Sequence, residues 1–291
     1  MTRLIQNLSE ISTNYDALFV DLWGCVHNGI KAFPEAVKAL QDYRKGGGIV
    51  ILVTNSPRPW RSVAAQMLSF GVPEDAYDSI ATSGDSARTA MHMGAVGQKV
   101  YHIGTPDEIA VFFAPSDILD NALEIETVPL EEAEGIVCTG PRDSLADVDV
   151  NRPEFLYAKQ KGLKLLCANP DIVVDRGETR EWCAGALAAL YTEMGGESLY
   201  FGKPHPPIYD LARRHLSKIA QVDDAKILCI GDGIGTDVMG GIGEGLDVLF
   251  ITGGLAAHEF GNDPAHPDLE RLKMWLADQN LSPTAAISFL R

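Results

Sequence analysis

Three apolar runs in the 291-residue sequence end abruptly on a polar side chain: Val20-Asp21, Val53-Thr54 and Ile230-Gly231-Asp232. Gly202-Lys203-Pro204 adds a fixed cation beside a further short strand. Where strands lie parallel in an open sheet, ligands bind beyond their carboxyl ends, so these side chains are expected to converge on one crevice. One acidic strand end alone would most simply cap a turn. Four such features in this order form a specific constellation of carboxylates, a hydroxyl and an ammonium. Two other chemistries fail on neighbouring residues. Gly231-Asp232-Gly233-Ile234-Gly235-Thr236 looks like a dinucleotide loop, but the last glycine is missing and Asp232 would repel a pyrophosphate. Cys25 stands near Asp21 without a basic partner in its motif and reads as a structural thiol.

The elements that must carry these residues alternate along the whole chain, which predicts an α/β fold with a largely parallel sheet. Strands are expected at 17–20, 49–53, 79–81, 99–103, 135–139, 164–167, 226–230 and 247–251. Helices are expected at 34–45, 60–69, 85–93, 106–113, 153–161, 181–194, 207–216, from 236, and at 269–279. Pro34 suits a first helical position, Ala36, Val37, Leu40 and Tyr43 make an apolar stripe, and Gly46 to Gly48 stop that helix. No internal repeat or low-complexity tract interrupts the rhythm.

Composition narrows the class. Forty acidic against 24 basic side chains give a net charge of −16, which argues against nucleic-acid or anionic-membrane partners because phosphate surfaces reward basic patches. Apolar residues make up 46% and charged residues 22%, as in ordinary globular proteins. No stretch reaches about 18 uninterrupted apolar residues, so no bilayer span is expected. Residues 1–10 hold no apolar core of signal-peptide length before acidic residues appear. Cys25, Cys138, Cys167, Cys183 and Cys229 are odd in number and never in a CxxC pair, which fits reduced thiols of a cytoplasmic protein.

Four segments together carry a resemblance: ALFVDLWG at 17–24, ILVTNS at 51–56, FGKPHPPIY at 201–209 and ILCIGDGIGTDV at 227–238. Their order and spacing resemble the haloacid dehalogenase superfamily, in particular the subfamily IIA phosphatases that act on p-nitrophenyl phosphate, pyridoxal phosphate, sugar phosphates or nucleotides. SIATSGDSA at 79–87, LKLLCANPD at 163–171 and CAGALAAL at 183–190 resemble that subfamily's cap region. The resemblance covers essentially the whole chain. It implies a Rossmann-like core at 1–95 and 202–291 with an inserted α/β cap at 96–201 that decides the substrate, a small phosphorylated molecule. Asn169-Pro170-Asp171 would be a turn that places the specificity loop. Caps of the subfamily often take part in dimer contacts, which makes a homodimer an expectation attached to the resemblance.

The same resemblance implies roles. Asp21 would be the nucleophile that takes the phosphoryl group. Asp232 and the main-chain carbonyl of Trp23 would join Asp21 around Mg²⁺, with Asp237 supporting the metal site from behind. Hard oxygen donors without a His/Cys cluster point to Mg²⁺ over zinc. Thr54, Asn55, Ser56 and Lys203 would hold the phosphoryl oxygens, and Lys203 could also stabilise Asp21. Arg58 and Arg61 follow the Thr54 loop and would either meet an anionic substrate or decorate the surface.

One position departs from the pattern. Phosphatases of this superfamily carry a second aspartate two residues after the nucleophile, which protonates the leaving oxygen and later activates water. Here that residue is Trp23. Metal binding through its carbonyl survives, while acid–base catalysis, typically worth about 10²–10⁴-fold, is impaired. His27, on the flap after Gly24, is the nearby candidate for a replacement acid. The remaining expectations are a substrate with a good leaving group, or a protein that binds a phosphorylated ligand without turnover. Dehalogenases also carry an aromatic residue at this position, but the GDxxxTD run from Gly231 to Asp237 and the cap segments resemble the Mg²⁺-dependent branch.

Overall fold

The computed structural model describes residues 2–114, 121–176 and 179–291. Strands β1 (Arg3–Leu4), β2 (Ala17–Val20), β3 (Ile49–Thr54) and β4 (Ser79–Thr82) come first. Strands β5 (Lys99–Ile103), β6 (Glu126–Thr127), β7 (Gly135–Cys138), β8 (Lys164–Cys167), β9 (Val173–Arg176), β10 (Thr179–Trp182) and β11 (Glu197–Tyr200) follow. Strands β12 (Ile227–Gly231), β13 (Asp247–Ile251) and β14 (Ala285–Ile287) come last. The helices are α1 (Pro34–Lys45), α2 (Trp60–Phe70), α3 (Ser83–His92), α4 (Pro106–Phe112) and α5 (Arg152–Gln160), then α6 (Ala184–Glu193), α7 (Pro206–Ser217), α8 (Met239–Gly243) and α9 (Leu269–Asp278). Contacts divide the chain into one unit of Met1–Thr54, Ala64–Ala81 and Tyr209–Arg291, and a second of Asn55–Val63 and Thr82–Ile208.

The first unit is built on a seven-stranded sheet in the order β1-β14-β13-β12-β2-β3-β4. Every pairing from β1 to β3 is parallel. β2 and β12 are buried along their whole length, as expected of strands covered on both faces. From β2 the chain moves outward to β3, whereas β12, on the other side of β2, leads outward to β13. The strand order therefore reverses between β2 and β12, and Val20 pairs with Ile230 at that point. This is where an open parallel sheet leaves room for a ligand. The buried face of α1 comprises Ala36, Val37 and Leu40, the stripe read from the sequence.

The second unit has a five-stranded, all-parallel sheet in the order β11-β8-β7-β5-β6. Period-two alternation sends its side chains into two cores. Ile103, Ile136, Cys138, Leu165 and Cys167 face Phe155 of α5 and Leu187 and Tyr191 of α6. Val100, Val137 and Leu166 face Ala87 and Met91 of α3 and Phe112 of α4. The Tyr191 hydroxyl donates to the Leu163 carbonyl at 2.6 Å, so this large buried ring carries no unpaired polar group. The packing of α3 on this sheet is the reason that residues from Thr82 onward group with the second unit.

Two expected helices begin differently. The helix expected from Glu181 starts at Ala184, because Glu181 and Trp182 belong to β10 of an antiparallel hairpin with β9. Cross-strand ion pairs Arg180–Asp175 and Arg176–Glu181 hold that hairpin, and such charged strands offer no apolar period to read. The helix expected from Thr236 is preceded by a single π turn, Ile234–Val238, and only then runs as α8. All five cysteines are buried and free of disulfides. Among the described residues no helix is long and apolar enough to cross a membrane.

Candidate active site

Asp21 leaves β2 with its amide donating to the Ile230 carbonyl at 2.8 Å, so the carboxylates of Asp21 and Asp232 emerge side by side from neighbouring strands. Both residues are buried. One ligand atom each of Asp21, Cys25 and Asp232 lie within 4.8 Å of one another. The turn after Asp21 is wound tightly enough to return Cys25 to this point. The Leu22 carbonyl accepts from the amides of Cys25, Val26 and His27, and the Gly24 amide donates to the His27 carbonyl at 2.9 Å.

Two glycines make room for the Asp232 carboxylate. Gly24 has φ of +76°, and a Cβ there would collide with Asp232 Oδ2; a Cβ at Gly254 would collide with the same atom. The next residue, Leu255, donates its amide to Oδ2 at 2.9 Å. Asp237 has a different task. Its Oδ2 accepts from the Gly233 amide at 3.1 Å and from the Thr236 hydroxyl at 3.4 Å, and it packs against Gly231. Asp237 thus braces the turn that presents Asp232.

Thr54 is the last residue of β3 and is buried. Asn55, Ser56 and Lys203 belong to the second unit. There the Asn55 carboxamide is committed to backbone and to Asp171: Oδ1 accepts from the Lys203 amide at 2.7 Å, and Nδ2 donates to the Lys203 carbonyl at 3.1 Å and to Asp171 Oδ1 at 2.7 Å. The Ser56 carbonyl accepts from the Gly84 amide at 3.0 Å. Arg58 and Arg61 are exposed, and the Arg61 guanidinium lies 5.4 Å from the centre of the Trp60 ring.

The Trp23 ring does not supply an acid, and the structure argues against His27 in that role. His27 is buried, with the Trp23 ring 5.2 Å and the Phe70 ring 5.1 Å away, measured between ring centres. Burial pushes its pKa down to about 4. The Gly29 amide donates to Nδ1 at 2.9 Å, which leaves the ring proton on Nε2 of a neutral imidazole. Such a ring is a poor proton donor at neutral pH. Once folding is verified by circular dichroism, His27→Gln is expected to keep kcat within about threefold of wild type with an unmoved acid limb of the pH–rate profile. A lost or shifted limb would restore His27 as the acid.

Cys25, read from the sequence as a structural thiol, is buried, and the structure adds that its Sγ lies beside the two carboxylates. Two buried carboxylates converge at the reversal point of the parallel sheet, where open sheets of this kind bind ligands. Residues 18–114 match the haloacid dehalogenase-like hydrolase family, and residues 200–271 match the HAD-hydrolase-like family. The solved structure of a haloacid dehalogenase-like family hydrolase from Brucella suis is 41% identical, with a TM-score of 0.85 over 99% of this chain and 100% of that one. The chain belongs to the haloacid dehalogenase-like hydrolases. Among curated proteins, the 5'-nucleotidase YutF of Bacillus subtilis is 25% identical over 90% of this chain and 98% of its own. The glycerol phosphate phosphatase of Mycobacterium tuberculosis, solved in complex with magnesium, shares the fold at 23% identity and a TM-score of 0.63, over 87% of this chain and 74% of that one.

Proposed function

We propose that this hydrolase is a Mg²⁺-dependent phosphohydrolase acting on a small phosphorylated metabolite, a sugar phosphate or nucleotide, through Asp21. The observation that carries the reading is the convergence of the Asp21 and Asp232 carboxylates within 4.8 Å at the strand reversal. That donor set fits a hard divalent cation, with the Trp23 carbonyl as a further oxygen ligand. When bound, the cation supplies positive charge that lets an anionic phosphoryl group approach a carboxylate nucleophile. The names and magnesium complex of the relatives support the same reading.

In this mechanism an Asp21 carboxylate oxygen attacks phosphorus, the bond to the leaving oxygen breaks, and an aspartyl-phosphate remains for water to hydrolyse. The family pattern assigns the phosphoryl oxygens to Thr54, to the backbone at Asn55 and Ser56, and to Lys203. Asp237 keeps the 231–233 turn in place. No side chain at position 23 protonates the leaving oxygen, so sugar phosphates and nucleotides turn over slowly, while aryl and acyl phosphates, whose leaving groups need no proton, are cleaved faster. Residues 96–201 select among them. The absent acid also favours a second reading, a protein that binds a phosphorylated ligand and stays silent.

A panel of sugar phosphates, nucleotides, acyl phosphates and p-nitrophenyl phosphate decides between the two. Turnover abolished by EDTA and restored by Mg²⁺ supports the hydrolase; ligand-induced thermal stabilisation with every substrate at background supports the silent binder. The metal assignment has its own test. Gly254→Ala places a methyl group against Asp232 Oδ2, and the Mg²⁺ concentration for half-maximal rate is expected to rise about 10- to 100-fold. An unchanged Mg²⁺ requirement would remove Asp232 from the metal site.

A further inference from the structure

Asn55, Asp171 and Lys203 lie 116 and 148 residues apart along the chain, yet one side chain joins them. A carboxamide has one acceptor end and one donor end, spaced like a peptide group. Asn55 uses them as a β-strand would, accepting from the Lys203 amide and donating to the Lys203 carbonyl. Its second N–H reaches the Asp171 carboxylate. Asn55 is 3% and Lys203 3% exposed, so water competes poorly for these bonds. The neighbouring surface is filled: a Cβ at Gly202 would stand 2.5 Å from Asn55 Oδ1, 2.6 Å from Pro170 and 2.6 Å from Ser83 Oγ.

Asp171 is itself anchored. Its amide donates to Asn169 Oδ1 at 3.0 Å, and its carbonyl accepts from the Gly185 amide at 3.1 Å. The β9–β10 hairpin leaves the chain immediately after it, and the Cys183 amide returns to the Ile172 carbonyl at 2.9 Å. Whatever displaces this hairpin's base pulls on Asp171, and through Asn55 on the main chain of Lys203.

We infer that Asn55 is a positioning residue that fixes the backbone of Lys203 and ties it to the turn from which the β9–β10 hairpin springs. Its effect on rate rests on the phosphohydrolase reading, in which Lys203 carries charge to the phosphoryl group; its effect on the Lys203 backbone does not. Asn55→Asp keeps an acceptor for the Lys203 amide but loses both donors and sets a carboxylate against that of Asp171. Asp171→Asn keeps an oxygen for Asn55. In the double variant the new carboxamide at position 171 donates to the new carboxylate at position 55, which restores the link with its polarity reversed.

Two measurements test this. Hydrogen–deuterium exchange of a peptide spanning Lys203 is expected to speed up at least about tenfold at that amide in Asn55→Ala. With Mg²⁺ and p-nitrophenyl phosphate, Asn55→Asp is expected to lose about 10- to 100-fold in kcat, as small misplacements of a charged group do. Asp171→Asn is expected to stay within about threefold, and the double variant to recover at least about fivefold over Asn55→Asp. Unchanged exchange in Asn55→Ala, or a double variant no better than Asn55→Asp, overturns the inference. If wild type turns over no phosphate ester, the phosphohydrolase reading fails and the exchange measurement alone decides.

Discussion

Asp21→Asn is expected to lower kcat for the best substrate by at least about 10⁴-fold, with the fold and thermal midpoint nearly unchanged. The asparagine amide is close in size to the carboxylate and leaves the bond from the residue 21 amide to the Ile230 carbonyl untouched. What disappears is the oxygen nucleophile and half of the paired negative charge beside Asp232. In the nucleotide or sugar-phosphate assay the variant should resemble a blank, while ligand-induced thermal stabilisation persists. If Asp21→Asn retains more than about a tenth of wild-type turnover, the covalent route through Asp21 is wrong.

The second large effect runs in the opposite direction. Trp23→Asp is expected to raise turnover of alkyl phosphates about 10²–10⁴-fold, the usual contribution of a placed general acid–base. The Trp23 ring presses on Gly29, where a Cβ would collide with the indole, and meets His27 edge-on. Removing it costs about 1–3 kcal/mol of packing, so rates should be normalised to the folded fraction. Aryl phosphates should gain far less, because their leaving groups need no proton. A folded Trp23→Asp variant with wild-type alkyl-phosphate rates would mean that the remaining residues are not arranged as a phosphatase.

Legibility in the sequence followed burial. Strands β2, β3 and β12 are covered on both faces, so each reads as an unbroken apolar run, and the polar residue that ends it announces itself. Asp21 and Asp232 could be paired on paper for this reason. The β9–β10 hairpin could not be seen, since its pairs Arg180–Asp175 and Arg176–Glu181 are charges, the arginines exposed, with no periodic apolar contrast. Strands β1 and β14 are two and three residues long, too short for a pattern. The burial that lowers the His27 pKa could not be read from the sequence either, since one of the rings beside it, Phe70, lies 43 positions away and reaches it only through the fold. Asn55 shows the same limit: an amide after a threonine suggests anion binding, whereas its partners at 171 and 203 are fixed by tertiary structure alone.

The order of strands also dictates how this chain can be made. β2 is made well before its neighbour β12, which begins at Ile227, more than 200 residues later. Until then the strand that ends in Asp21 has a bare hydrogen-bonding edge, and such edges recruit other chains. The second unit's five-stranded sheet, by contrast, is complete at Tyr200. Synthesis therefore finishes the later-starting unit first and leaves the strand bearing Asp21 waiting. Nascent chains halted between 201 and 226 are expected to depend on chaperones, because the pairing that brings Asp21 beside Asp232 becomes possible only once β12 has been made.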